Sequence, residues 1–274
     1  MQNSFPNCLS EIIKTSRDIW SKGWAEANAG NISVRLDPEI FQTEVAFEQR
    51  SDWIALGMDF PVLAGECFLV SGRGKYLRNI ELSPEKNIGV IELDNSGRKY
   101  RVLWGYESGG GPTSELLAHL KAHAIRKKVS KGVERAVIHV HSPNLITLTY
   151  ALDLDTPRIS KLLWEMHAEC IVMFPEGVEF VLWMLPGSSE LADATAKGLK
   201  RRRIAVWQFH GVVATGRNLD AAFGLIDVAE KAAENYLKTM AGGGVKNKLT
   251  TQQLQAIVKH FNLKPDTSIL NMEI

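Results

Sequence analysis

The chain has 274 residues, of which 45% are hydrophobic, enough to bury a full core without disulfides. With 32 basic against 31 acidic residues, the charge balance excludes a broad nucleic-acid or acidic-membrane face, though not a local seat for a small anion. Cys8, Cys67 and Cys170 are odd in number and form no pattern, which fits a reducing compartment. The N-terminus has no basic start and no apolar h-region, and no apolar run approaches the roughly 20 residues that span a bilayer, so a cytoplasmic location is expected.

In chain order, residues 9–26 read as an amphipathic helix, with Leu9, Ile12, Ile13, Ile19 and Trp20 at helical spacing and a stop at Asn28-Ala29-Gly30-Asn31. Residues 32–36 alternate as a strand, and 38–59 read as an irregular surface excursion. Residues 61–70 are strand-like and end in Ser71-Gly72-Arg73-Gly74-Lys75. Residues 87–93 and 99–104 form a hairpin around Asn95-Ser96-Gly97. A glycine-rich loop, Gly109-Gly110-Gly111-Pro112-Thr113-Ser114, feeds a helix over about 115–128. A buried strand at 136–141 is closed by Ser142-Pro143-Asn144. Helices are expected at 145–152 and 160–167, strands at 170–174 and 178–185, a helix at 189–203, a strand or tight strand pair at 204–214, and helices at 219–240 and 251–261. This interleaving predicts one three-layer α/β/α domain over residues 1–274, around a mixed, largely antiparallel sheet.

Three groups carry chemistry. In Ile138-His139-Val140-His141, alternate residues of a strand share one face roughly 7 Å apart, close enough for two imidazoles to converge on one ion. His210 likewise closes an apolar strand. Three histidines with an open fourth position make a catalytic zinc pattern; the competing reading is three histidines satisfied separately by hydrogen bonds. Thr113-Ser114-Glu115 opens a helix, where free N–H groups and the dipole suit a phosphate, with Glu115 beside it as an acid or base; a plain N-cap is the alternative. Asn28-Ala29-Gly30-Asn31 and Gly72-Arg73-Gly74 are polar glycine turns able to form anion nests or to be ordinary surface turns. Glu115, His119 and His123 recur every four residues and mimic a metal site, although one helix face closes a tetrahedron poorly.

Taken in order, these groups resemble the class II aldolase/adducin family. The resemblance rests on Gly23-Trp24 with Asn28-x-Gly30-Asn31, Gly72-x-Gly74-Lys75, Leu103-Trp104-Gly105, Pro112-Thr113-Ser114-Glu115-Leu116, and His139-x-His141 with Asn144-Leu145-Ile146-x-Leu148-Thr149-Tyr150. It continues through Leu163-Trp164-Glu165, Glu169-Cys170, Phe174-Pro175-x-Gly177, Phe209-His210-Gly211 and Phe223-Gly224-Leu225-Ile226-Asp227, covering nearly the whole chain. It implies a metal-dependent aldolase acting on a sugar phosphate, with one Zn2+ per subunit on His139, His141 and His210 and with Glu115 near the metal. It further implies a phosphate seat from Asn28, Gly30, Asn31, Thr113 and Ser114 with the Gly72–Gly74 turn, and a homotetramer with sites at subunit boundaries, where Glu169 reaches over from a neighbour. Arg73 departs from the family pattern: a small residue is expected in that turn, and a cation beside a phosphate is chemically sensible. Sister aldolases and pentulose-phosphate 4-epimerases share the metal site, so the sugar stays open. Non-catalytic, adducin-like members should lack the ligands, and this chain keeps all three histidines and the glutamate.

Overall fold

The computed structural model describes residues 5–37 and 50–272; residues 38–49, most of the stretch expected to be a surface excursion, lie outside that description. Its nine described strands are β1 (Asn31–Arg35), β2 (Ile54–Ala55), β3 (Cys67–Ser71), β4 (Ile88–Leu93), β5 (Lys99–Gly105), β6 (Ala136–Val140), β7 (Glu179–Val181), β8 (Ile204–Trp207) and β9 (Gly211–Gly216). They form one sheet in the order β2-β5-β4-β3-β1-β6-β9-β8-β7. Every pairing is antiparallel except β7 with β8, so the sheet is mixed and largely antiparallel as expected.

Helices cover both faces. Alternation on β1 decides which side chain goes where: Ile32 and Val34 enter a large core with α1 (Phe5–Ser21), α4 (Pro143–Ala151), α5 (Thr156–Met166), α6 (Ala168–Met173), α8 (Leu219–Ala241) and α9 (Thr251–His260). The other face packs Phe68, Val70, Ile91 and Val137 against α3 (Leu116–Val129) and α7 (Ser189–Leu199). Two short helices, α2 (Pro84–Asn87) and α10 (Thr267–Leu270), complete the set.

Four expectations need correction. α1 stops at Ser21, not near Glu26: Gly23 takes φ +73°, and the Trp24 N–H reaches back to Ile19 O at 3.1 Å, the closing bond of a left-handed helix cap. Residues 61–63 form a 3-10 turn rather than strand, consistent with a proline that cannot donate to a ladder. Residues 170–174 are largely helical, within α6: Cys170, Ile171 and Phe174 are fully buried at helical spacing, and a short apolar run does not distinguish a buried helix from a strand. The strand expected over 178–185 shrinks to β7, because its one described partner, β8, ends at Trp207 and leaves Leu182, Trp183 and Leu185 exposed.

Candidate active site

The antiparallel register sets Asn31 of β1 directly opposite His139 of β6, both on the face that α3 covers. His141 follows just beyond the end of β6, and its N–H donates to Trp24 O at 2.9 Å. His210 lies in the turn from β8 to β9. The residue before it, Phe209, is held at φ +61°, a costly conformation for a side chain of that size, and its N–H is accepted by Thr149 Oγ1 at 3.0 Å. The ring centroids of His139, His141 and His210 stand 5.0–5.3 Å apart, and one ring nitrogen from each lies within 4.8 Å of the other two. Trp207 backs two of these rings, at 4.5 Å from His139 and 5.0 Å from His210. Gly211 leaves the rings room: a Cβ there would stand 2.5 Å from Val140 O and 3.0 Å from His139 Cε1.

Hydrogen-bond accounting decides what these nitrogens can do. His139 Nδ1 faces Val212 O at 3.1 Å, and His141 Nδ1 faces a Glu26 carboxylate oxygen at 2.6 Å. Those oxygens only accept, so both Nδ1 atoms carry a proton and Nε2 is the nitrogen that each ring can offer an ion. Burial, with His141 nearby, pushes His139 down to about 3; burial, with His139 as the next cause, pushes His210 down to about 4. Both rings are therefore neutral near pH 7. Glu115 is 8% exposed, and its carboxylate oxygens lie 3.5 Å from His139 Nε2 and 3.9 Å from His210 Nε2. At those distances the contacts resemble ion pairs, but in the neutral His139, whose proton is on Nδ1, Nε2 sets a lone pair against the carboxylate. That arrangement is repulsive unless a cation stands between. His210 Nδ1 is also buried without a partner among the described residues. Three imidazole nitrogens beside a carboxylate fit a borderline divalent ion, and the Val212 carbonyl and Glu26 carboxylate orient two of the three rings.

A polar cleft of about 130 Å³ opens beside this cluster. Its walls bring together Asn28 and Gly30 from the turn before β1, Asn31 at the start of β1, Gly72 and Gly74 from the turn after β3, and Thr113, Ser114 and Glu115 at the start of α3. Chain pairing holds the last two segments side by side: Thr113 N–H donates to Ser71 O at 2.9 Å, and Gly72 bridges Pro112. Gly30 is at φ +78°, and a Cβ there would sit 3.3 Å from His139 O. Glu115 occupies the N-cap position of α3, one residue before its first turn. The Asn31 amide is largely committed, donating to Glu115 Oε2 at 2.8 Å and meeting His119 Nε2 through its oxygen.

Two of the residues singled out in the sequence stand apart. Arg73 is exposed, is not in the cleft wall, and spends its N–H on Gly111 O at 2.9 Å. Glu169 is exposed in the first turn of α6 and does not line the cleft either. A larger cavity of about 580 Å³ lies elsewhere, between α5, α8 and residues 244–248, and no histidine lines it. Glu26 and Gly211 were not foreseen as site residues. Nothing local marks Glu26, which meets His141 across 115 positions, whereas Gly211 follows His210 directly and signalled a need for space.

These features define a class. The model of the family described as Class II Aldolase and Adducin N-terminal domain matches residues 10–237, and the chain belongs to that family as a metal-dependent aldolase. It is 44% identical over 262 residues to a rhamnulose-1-phosphate aldolase of Enterobacter sp. (strain 638), covering 95% of both chains. It is 42% identical over 260 residues to a protein of the same name from Mannheimia succiniciproducens, covering 94% of this chain and 96% of that one. Among solved structures it resembles a sugar-phosphate aldolase from Thermotoga maritima, with TM-score 0.76 and 30% identity over 88% of this chain and 97% of the other. An L-fuculose-1-phosphate aldolase from Thermus thermophilus, at 19% identity, 89% and 100% coverage and TM-score 0.59, shares the fold.

Proposed function

We propose that this chain is a zinc-dependent aldolase that splits L-rhamnulose 1-phosphate into dihydroxyacetone phosphate and L-lactaldehyde. The observation that carries the reading is the Glu115 carboxylate facing two neutral histidine nitrogens beside a polar cleft. A cation relieves that arrangement, and a cleft of about four water volumes suits a phosphate with its neighbouring carbons. The names of relatives 42–44% identical over nearly the full length support the choice of sugar.

In this reading His139, His141 and His210 hold the zinc. When bound, zinc supplies Lewis acidity for the negative charge left on the substrate oxygens, so no Schiff-base lysine is needed. Asn28, Gly30, Asn31, Thr113 and Ser114, with the Gly72–Gly74 turn, seat the phosphate; Arg73 is assigned long-range charge only. In cleavage the substrate hydroxyl next to the breaking bond gives up its proton. The carbon–carbon bonding pair stays with the dihydroxyacetone phosphate carbon, and that carbon takes a proton. Glu115 delivers this second proton and, in the reverse direction, removes it. Glu169, idle within one chain, takes the first from a neighbouring subunit of a homotetramer. A cytoplasmic setting suits a phosphorylated substrate and three free, buried cysteines.

The test is a product assay on the purified protein, with metal analysis, against L-rhamnulose 1-phosphate, L-fuculose 1-phosphate and a pentulose 5-phosphate. The expected result is dihydroxyacetone phosphate from the first, at least about tenfold faster than from the second, and stoichiometric zinc. Faster fuculose-phosphate cleavage or pentulose epimerisation would reassign the substrate. No turnover of any of the three by metal-loaded protein would leave a non-catalytic role.

A further inference from the structure

Behind Glu115 runs an unbroken line of buried hydrogen bonds that the metal site does not use. Asn31 Nδ2 donates to Glu115 Oε2 at 2.8 Å, and His119 Nε2 lies 2.5 Å from Asn31 Oδ1. Ser33 Oγ then lies 2.6 Å from His119 Nδ1 and 2.8 Å from His123 Nε2. Asn31 is 8% exposed; Ser33, His119 and His123 are 1–2% exposed. Two periodicities meet here: Glu115, His119 and His123 at every fourth residue on α3, and Asn31 and Ser33 at every second residue on β1.

The first bond sets the direction of all the others. A carboxylate only accepts, so the Asn31 nitrogen is turned toward Glu115 and its oxygen toward His119. That oxygen needs a donor, so His119 carries its proton on Nε2. Nδ1 is then a lone pair, which takes the Ser33 hydroxyl proton, and the Ser33 oxygen takes the Nε2–H of His123. Burial keeps both rings neutral, pushing His119 down to about 4 and His123 well below its ordinary value. No single link can turn round without setting donor against donor, so the Asn31 amide is locked and one Glu115 oxygen with it.

We propose that His119 is a positioning residue for Glu115: acting through Asn31, it holds the carboxylate in the orientation that transfers the proton, while Ser33 and His123 fix its tautomer. This rests on Glu115 being the proton-transfer group. His119 touches neither substrate nor metal, and its contribution is geometric.

The experiment compares His119→Phe, which keeps the shape without a donor, His119→Gln, which restores a donor to Asn31 and an acceptor to Ser33, and Glu115→Gln, all with their metal content measured. The readouts are solvent deuterium exchange into dihydroxyacetone phosphate without aldehyde, and kcat and KM for cleavage. His119→Phe is expected to lower exchange and kcat together by about 10–100-fold, the usual loss when an outer partner of a site is removed. KM should stay within about threefold and metal content should be full. His119→Gln should regain most of the loss. Long-range 1H–15N spectra of the native protein should find the His119 proton on Nε2 near neutral pH, and this reading stands even if the Phe variant fails to fold. Native-rate exchange in His119→Phe overturns the proposal, as does a loss confined to KM or to metal content, equal damage in the Phe and Gln variants, or a proton on Nδ1. Native-rate exchange in Glu115→Gln removes instead the role of Glu115 on which the proposal stands.

Discussion

Two groups of histidines lie on the same face of the sheet, joined through Asn31 and Glu115, and differ in one respect. In the pair His119 and His123, the described hydrogen bonds run from ring to ring through Ser33 and end on Asn31. In the trio His139, His141 and His210, the outward nitrogens of two rings are tied back to Val212 O and Glu26, and the inward nitrogens converge beside a carboxylate. Periodic spacing along helix or strand brings each group together. What separates a ligand set from a structural network is whether ring nitrogens converge on one another or are bonded in a line, and only the three-dimensional accounting reveals that.

The comparison breaks most visibly if a member of the open trio can be lost without losing metal. His139→Ala, His141→Ala and His210→Ala should each leave metal near background after dialysis. Activity should fall about a thousandfold or more, since Lewis-acid stabilisation is worth several kcal/mol. His123→Gln, in the closed pair, should retain a full complement of metal. Metal analysis on the four variants decides it: full metal in His210→Ala, or lost metal in His123→Gln, would erase the distinction drawn here.

A finer test lies one layer out. Glu26 accepts from His141 but is two-thirds exposed, so water can replace it in part. Glu26→Ala should weaken metal affinity by roughly tenfold, at the low end for an outer partner, and a competitive chelator titration reads this directly. An effect as large as that of His141→Ala would mean that Glu26 is itself a ligand.

Much of this architecture was legible in the sequence because it follows period. The alternation of β1, the His-x-His of β6, the apolar run of β8 and the glycine-rich entry to α3 each announce an element and the face it buries. The parts that were not legible depend on partners far along the chain. Residues 170–174 read equally well as strand or helix until α6 is seen packed among other helices. The early stop of α1 turned on which of two left-handed glycines closes the helix, and Gly23 does so before Gly30. Glu26 carried no local mark. The fourfold spacing of Glu115, His119 and His123 was visible, but its meaning depended on Asn31 and Ser33, some 80 to 90 positions away, filling the gaps between them.

The last expected effect concerns acid and is read in stability. In the folded, metal-free protein burial holds His119 down to about 4 and His123 well below its ordinary value, whereas in the unfolded chain both take protons near 6.5. As pH falls below about 6.5 the unfolded state therefore binds more protons than the folded one, and stability drops. Each histidine contributes a slope of up to about 1.4 kcal/mol per pH unit until its folded value is reached. His139 and His210 add to the slope in the same direction, and with metal present their protons also compete with the ion. His123→Gln isolates one member. Burial is the main reason that His123 resists a proton, with His119 and Arg35 as lesser causes, and the glutamine has no such proton to refuse. Chemical denaturation of the two metal-free proteins from about pH 8 to about pH 5 should show the native one losing more stability, by roughly 2 kcal/mol at pH 5. Carboxylates titrate alike in both and cancel, and any packing lost against the Phe68 ring, 5.0 Å away, shifts the whole curve without changing its slope. Parallel curves would mean that folded His123 accepts a proton as readily as the unfolded chain does. The neutral chain of bonds behind Glu115 would then be wrongly drawn at its far end.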